Sequence, residues 1–282
     1  MRLVDSRAMS AASPLRVGSV PYLVGRPLDS GLGDEPGIEL AYDVPAQLIE
    51  RLRAGELDVA LVSTIELFRR PGYRYLDGLA VAGRGPVGSV QVFLRKPVEE
   101  IESVALDPAS RTARTLVQVL LAEREQGAPE FIEVAPGDDP RAAKADAWLR
   151  IGDAALREAL DPAAPEVFNP SYIWTQRTGL PFAFAAWIVA PGAPVEEHLS
   201  AFVRARAAGM ARTKALARDA SVEWQLSEEA CLHYLAEECL YDLGSELTPA
   251  ISAFQARAAA LGLCQAELDP RPIRLDAHAP TD

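Results

Sequence analysis

The 282 residues suffice for two modest domains, and a hydrophobic share of 49% supports a sizeable core without disulfide or metal staples. With 28 basic against 40 acidic residues the net charge is -12, which argues against nucleic acid or an anionic membrane surface as a partner and means that an anionic ligand needs local positive potential. Cys231, Cys239 and Cys264 form no CxxC pair and have no histidine at ligand spacing, so they read as packing residues in helical surroundings and not as a metal centre.

Residues 1–14 hold no apolar core of signal-peptide length, and no later run approaches the ~20 residues of a membrane span, so the expected location is the cytoplasm. Residues 15–20 alternate apolar and small side chains up to Pro21 and predict a buried strand, with a helix or turn over 22–30. A second strand is expected over 38–44. Pro45 then opens a helix that carries Leu48, Ile49 and Leu52 on one face and stops at Gly55. Residues 58–62 read as a short apolar strand running into Ser63, Thr64, Ile65 and Glu66. Two hydroxyls thus sit past a strand's C-terminal end, where open α/β sheets place ligands. A strand over 79–83, the loop RGPVGS and a strand over 89–95 follow.

From Val98 the pattern restarts: a short acidic helix, a strand over 103–106, a helix over 110–123, a strand over 130–134, a strand over 147–151, and a helix from Gly152 and Asp153 through Leu160. After the polar aromatic segment NPSYIWTQRTG, residues 182–189 form a strand apolar on both faces, which suits a connector between two units. Everything after Pro194 has helical spacing. The order predicts an α/β protein in two units, residues 15–95 with 184–282, and 96–183 inserted between them, with a small-ligand cleft where they meet.

The stretch LDPASRTARTLVQVLL is the most informative one. It reads as a strand entering a helix whose first turn holds Ser110, Arg111 and Thr112. Free N–H groups, the positive end of the helix dipole, two hydroxyls and a guanidinium all favour a carboxylate there. The alternative is that Asp107 or Ser110 caps the helix and Arg111 is a solvated surface residue.

Six blocks, SVPYLVGRPLDSGL, DVALVSTIEL, GPVGSV, LDPASRTARTLVQVLL, WLRIGDAAL and TGLPFAFAAW, together resemble the MqnA family of menaquinone biosynthesis, the chorismate dehydratases of the futalosine route, over roughly residues 15 to 265. The resemblance implies a two-lobed fold like the type 2 periplasmic binding proteins, with central mixed sheets and a cleft between lobes. It also implies a lyase that takes dianionic chorismate to 3-[(1-carboxyvinyl)oxy]benzoate and water, with no cofactor and no metal. A small-carboxylate binding protein of the same fold and the sister enzyme of the route, of the dihydroxynaphthoate synthase type, are the competing readings.

Under that reading Ser89 is the candidate catalytic residue, and Ser63, Thr64, Ser110, Arg111, Thr112, Tyr22 and Gly152 are the candidate substrate contacts. Ser89 is alternatively a strand-start hydroxyl bonded to backbone. Asp153 is expected to cap the helix behind it, and Glu66 to pair with an arginine. Tyr22, Arg26, Trp174 and Phe182 either line the cleft or belong to the core. Family members usually carry asparagine directly after the TyrLeu pair, where this chain has Val24, with Ser19, Tyr22 or Arg26 as possible substitutes. His198, His233 and His278 lie beside no candidate site, so a carboxylate of the bound dianion is the expected proton acceptor.

Overall fold

Apolar runs bounded by glycine and proline become strands here, and the residues between them decide which of two sheets each strand joins. The computed structural model describes residues 13–275, so His278 and the end of the first predicted unit, 276–282, lie outside the described residues. The strands are β1 (Leu15–Ser19), β2 (Ile38–Tyr42), β3 (Val59–Ser63), β4 (Arg74–Gly83), β5 (Val90–Leu94), β6 (Ser103–Leu106), β7 (Glu130–Glu133), β8 (Ala147–Ile151), β9 (Val167–Phe168), β10 (Phe182–Val189), β11 (Cys239–Asp242) and β12 (Arg271–Ile273).

The larger sheet has the order β11-β4-β10-β3-β1-β2, with β12 also on β4. In it β1 pairs in parallel with β2 and β3, while β10 runs antiparallel between β3 and β4. The smaller sheet has the order β7-β6-β8-β5-β9. It too is mixed, with β6 parallel to β7 and β8 and with β5 antiparallel to β8 and β9.

Several expectations are corrected. Residues 90–94, read from sequence as the end of the first unit, pair with β8 and β9 in the smaller sheet. The glycine-rich loop at 84–89 is therefore where the chain crosses. The change in composition at Val98 marks an exposed acidic turn and not a change of sheet. That turn, closed by the Glu100 N–H on the Pro97 carbonyl at 2.8 Å, stands where a short helix was expected. The second crossing carries a helix, Pro170–Thr178, in the segment read only as polar and aromatic. Asn169 accepts the Tyr172 N–H at 2.9 Å as its cap, and proline follows at the first position. The helical C-terminal third is interrupted by β11, so Cys239 lies in a strand.

The helix Thr112–Ala122 is buried on two sides. Leu116, Val119 and Leu120 join the core of the larger sheet, and Ala113, Val117 and Leu121 join that of the smaller one. Trp174, Phe182 and Phe254 stack edge to face in the larger core, with the Trp174 indole donating to the Pro181 carbonyl. Trp174 and Phe182 are therefore core residues and not cleft walls.

The helix Leu199–Ala211 crosses the turn at 26–29 by backbone contact. A Cβ at Gly209 would fall 2.2 Å from the Pro27 carbonyl oxygen and 2.5 Å from its Cα, so only glycine fits. Gly209→Ala is expected to lower stability by about 1–3 kcal/mol in urea unfolding. A loss below about 0.5 kcal/mol would show that the 26–29 turn yields freely.

Candidate active site

The ends of β1, β3 and β8, the start of β5, the middle of β10 and the N-terminus of the helix Thr112–Ala122 surround a cleft between the two sheets. Its empty space, open mouth included, is about 760 Å³. The walls are largely apolar, with Val20, Val24, Leu61, Val81, Val87 and Phe184 prominent. Polar groups come from Tyr22, Ser63, Ser89, Ser110, Arg111 and Thr112.

Of the residues singled out from sequence, Ser63, Ser89, Ser110, Arg111, Thr112, Tyr22 and Gly152 all line this cleft, and Thr64 does not. The chain leaves β3 as a tight 3-10 turn, Thr64–Phe68, and every residue of that turn is buried. Thr64 points into the protein, its hydroxyl without a hydrogen-bond partner. Thr112 Oγ1 accepts the Ile65 N–H at 3.2 Å and ties the helix to that turn. Ser110 Oγ accepts the Arg114 N–H at 3.0 Å, so Ser110 both caps the helix and faces the cleft.

Arg111 is held by Glu66. The Glu66 carboxylate is fully buried and takes Arg111 at 3.1 Å and Arg69 at 3.0 Å on Oε1, and Arg53 at 2.5 Å on Oε2. Glu50 adds contacts to Arg53 at 2.6 Å and Arg111 at 3.8 Å. Three guanidinium groups against two carboxylates leave a local surplus of positive charge at the cleft. The residue expected to pair with an arginine thus anchors three.

Ser89 is almost fully buried. Its hydroxyl oxygen accepts the Tyr234 O–H at 2.7 Å, and its carbonyl accepts the Gly152 N–H at 2.8 Å. Gly152 has φ 69°, a left-handed turn that a side chain disfavours, and brings bare backbone to the cleft. The N–H is already engaged, so Gly152 offers shape and not a donor. Burial, reinforced by Asp153 and Asp107, raises the Tyr22 phenol above its ordinary value and keeps it protonated.

Asp153 sits in the first turn of the helix Gly152–Ala159 without capping it. Burial pushes its carboxyl up to about 6. Of the three groups considered as substitutes for the amide absent at Val24, only Tyr22 reaches the cleft. Ser19 donates to buried Asp29 at 2.6 Å, and Arg26 lies over the Tyr42 ring. His233 pairs with Glu237, His198 lies beside Gly37, and neither lines the cleft.

Tyr234, Cys239 and Phe184 are among the site residues that sequence reasoning missed. Removing the buried carboxylate takes away the one partner that the three cations share, so Glu66→Ala is expected to cost about 3–5 kcal/mol in denaturant unfolding. Arg69→Ala, at a side chain 34% exposed, is expected to cost below about 1 kcal/mol. Equal losses would show that Glu66 does not carry the cluster.

A family model described as menaquinone biosynthesis matches residues 15–260. The chain is 30% identical over 238 residues to the chorismate dehydratase of Thermus thermophilus, with 76% of this chain and 87% of that protein covered. Among solved structures, protein AF1704 of Archaeoglobus fulgidus is similar at a TM-score of 0.72 and 18% identity, over 90% of this chain and 99% of that one. The alkanesulfonate-binding protein SsuA of Xanthomonas axonopodis pv. citri, bound to MOPS, is similar at a TM-score of 0.64 and 17% identity, over 90% and 94%. Those two likenesses show the fold, a two-lobed architecture like that of periplasmic binding proteins. With nearly its whole length matched in sequence as well, the chain belongs to the menaquinone biosynthesis family.

Proposed function

We propose that this protein is a chorismate dehydratase of the futalosine route, a hydro-lyase that converts chorismate to 3-[(1-carboxyvinyl)oxy]benzoate and water. The relative from Thermus thermophilus supports the reaction. The observation that carries it in the structure is Arg111, fixed on buried Glu66 at a helix N-terminus and facing an otherwise apolar, serine-bearing cleft. An apolar wall suits a cyclohexadiene ring, and the guanidinium with the helix N–H groups suits its carboxylates.

In the reaction the ring carbon bearing the enolpyruvyl ether loses its proton, the C–H electron pair becomes a ring double bond, and the neighbouring C–O bond breaks. Proton and hydroxide leave as water, so no oxidant or reductant is consumed. A carboxylate of the dianion, held by Arg111, takes the proton, because neither described histidine lines the cleft. Ser89 donates a hydrogen bond to the departing hydroxyl, where negative charge develops.

Val24 lines the cleft at the position where family members usually carry asparagine, and this observation favours a second reading, a binding protein for small carboxylates without turnover. Purified protein incubated with chorismate separates the two. Formation of the benzoate, followed by absorbance or mass, supports the enzyme, and binding without conversion supports the carrier. Arg111→Ala is expected to weaken chorismate binding about 10- to 100-fold, the worth of a charged hydrogen bond of ~1.5–3 kcal/mol. Unchanged affinity in calorimetry would place the anion site elsewhere. Val24→Asn is expected to raise turnover, since one missing donor at a developing anion costs up to about 10²- to 10³-fold. An unchanged or lower rate would show that the pocket has adapted to valine.

A further inference from the structure

The loop that carries Ser89 is one of the two crossings between the sheets, and Gly85 and Gly88 give its backbone conformational freedom that the surrounding contacts must restrain. It is held at Gly85, whose N–H donates to Thr175 Oγ1 at 3.1 Å, at Val87, whose carbonyl accepts from the Asn169 amide at 3.0 Å, and at Gly88 and the Ser89 hydroxyl by one further turn of chain. Tyr234–Glu238 is a π-helical turn, and both of its end residues reach the loop. Tyr234 donates its O–H to Ser89 Oγ at 2.7 Å, and Glu238 Oε2 accepts the Gly88 N–H at 2.7 Å. We propose that Tyr234, with Glu238, is a positioning residue for Ser89, fixing the hydroxyl so that its own proton is presented to the cleft; this rests on the catalytic role given to Ser89 above.

The direction of the Tyr234 hydrogen bond carries the argument. A serine hydroxyl that accepts from a phenol keeps its single proton for another acceptor, and accepting polarises its O–H bond. Tyr234 is fully buried, and that burial holds its phenol well above the ordinary value, so it remains a donor and does not pass its proton on. Beside it the buried Cys239 thiol, pushed up to about 12, is equally unable to ionise near neutrality. Neither Tyr234 nor Cys239 competes for the Ser89 proton. A change from 3.6 to a wider helical turn is a recurrent feature of functional sites, and here it sets residues 234 and 238 on consecutive residues of one loop.

Two measurements test the assignment. In the first, kcat and KM for chorismate are measured for wild type, Tyr234→Phe, Ser89→Ala and the double variant. Tyr234→Phe is expected to lower kcat about 10-fold or more with KM within about twofold, and to cause no further loss when Ser89 is already alanine. An unchanged kcat, or an equal loss in both backgrounds, overturns the proposal.

The second does not depend on chorismate. Amide hydrogen exchange over residues 85–90 is expected to quicken about 10-fold or more in Tyr234→Phe and in Glu238→Ala while the core strands keep their protection. Unchanged exchange there overturns the positioning role. If wild type does not convert chorismate, the functional reading fails, and the exchange data still decide whether Tyr234 and Glu238 hold the loop.

Discussion

The helix Thr112–Ala122 belongs to both hydrophobic cores at once, and this double burial fixes the rest of the structure. Leu116 and Leu120 on one side and Val117 and Leu121 on the other are each withdrawn from water, worth about 1.5–3 kcal/mol per side chain. Pulling the lobes apart along this line would expose one of the two sets. The helix therefore cannot rotate or slide without a large loss, and its first turn holds one position relative to the larger sheet. Thr112 Oγ1 on the Ile65 N–H makes that relation specific.

The buried Glu66 cluster is the electrostatic counterpart of that packing. A carboxylate with no solvent exposure needs its charge and lone pairs answered, and three arginines from separate places in the chain do so. Such a cluster contributes little net stability compared with apolar residues of the same volume. Its effect is orientation: Arg111 cannot swing into solvent, so its guanidinium is already in place before an anion arrives. A pre-placed donor loses less side-chain entropy on binding than a free surface arginine does.

Much of this was legible in the sequence because the relevant signals are local. Pro45 and Gly55 bracket a helix that runs from Pro45 to Arg53, the apolar run before Ser63 is a central strand, and the SRT turn opens a helix in the cleft as its hydroxyls suggested. The misses are of another kind. Thr64 and Ser63 are adjacent hydroxyls at one strand end, and only the tightness of the following 3-10 turn sends one inward. Strand β5 belongs to the smaller sheet through partners far along the chain, which a local reading of residues 90–94 does not contain. Tyr234 shares the helical spacing of its neighbours, and its link to Ser89 spans 145 positions. The Asn169, Pro170 and Gly179 bracket around a further helix was available and was obscured by the polar residues between.

A protein of net charge -12 that takes a dianion must keep its own acids out of the way, and the treatment of each acid near the cleft shows how. Asp107 spends Oδ1 on the Ala109 N–H and Oδ2 on the Ile151 N–H, at 2.9 and 3.2 Å. Burial raises the Asp153 carboxyl to about 6, Glu66 takes three guanidinium groups, and Glu238 takes the Gly88 N–H. Among the described residues, none of the side chains lining the cleft is an aspartate or a glutamate. The same hydrogen bonds that satisfy these carboxylates also knit together the loops around the cleft, at 88, 109 and 151. Satisfying the acids and shaping the site are thus one act. The result is a low-polarity space in which the single facing guanidinium acts at closer to full strength than it would in water.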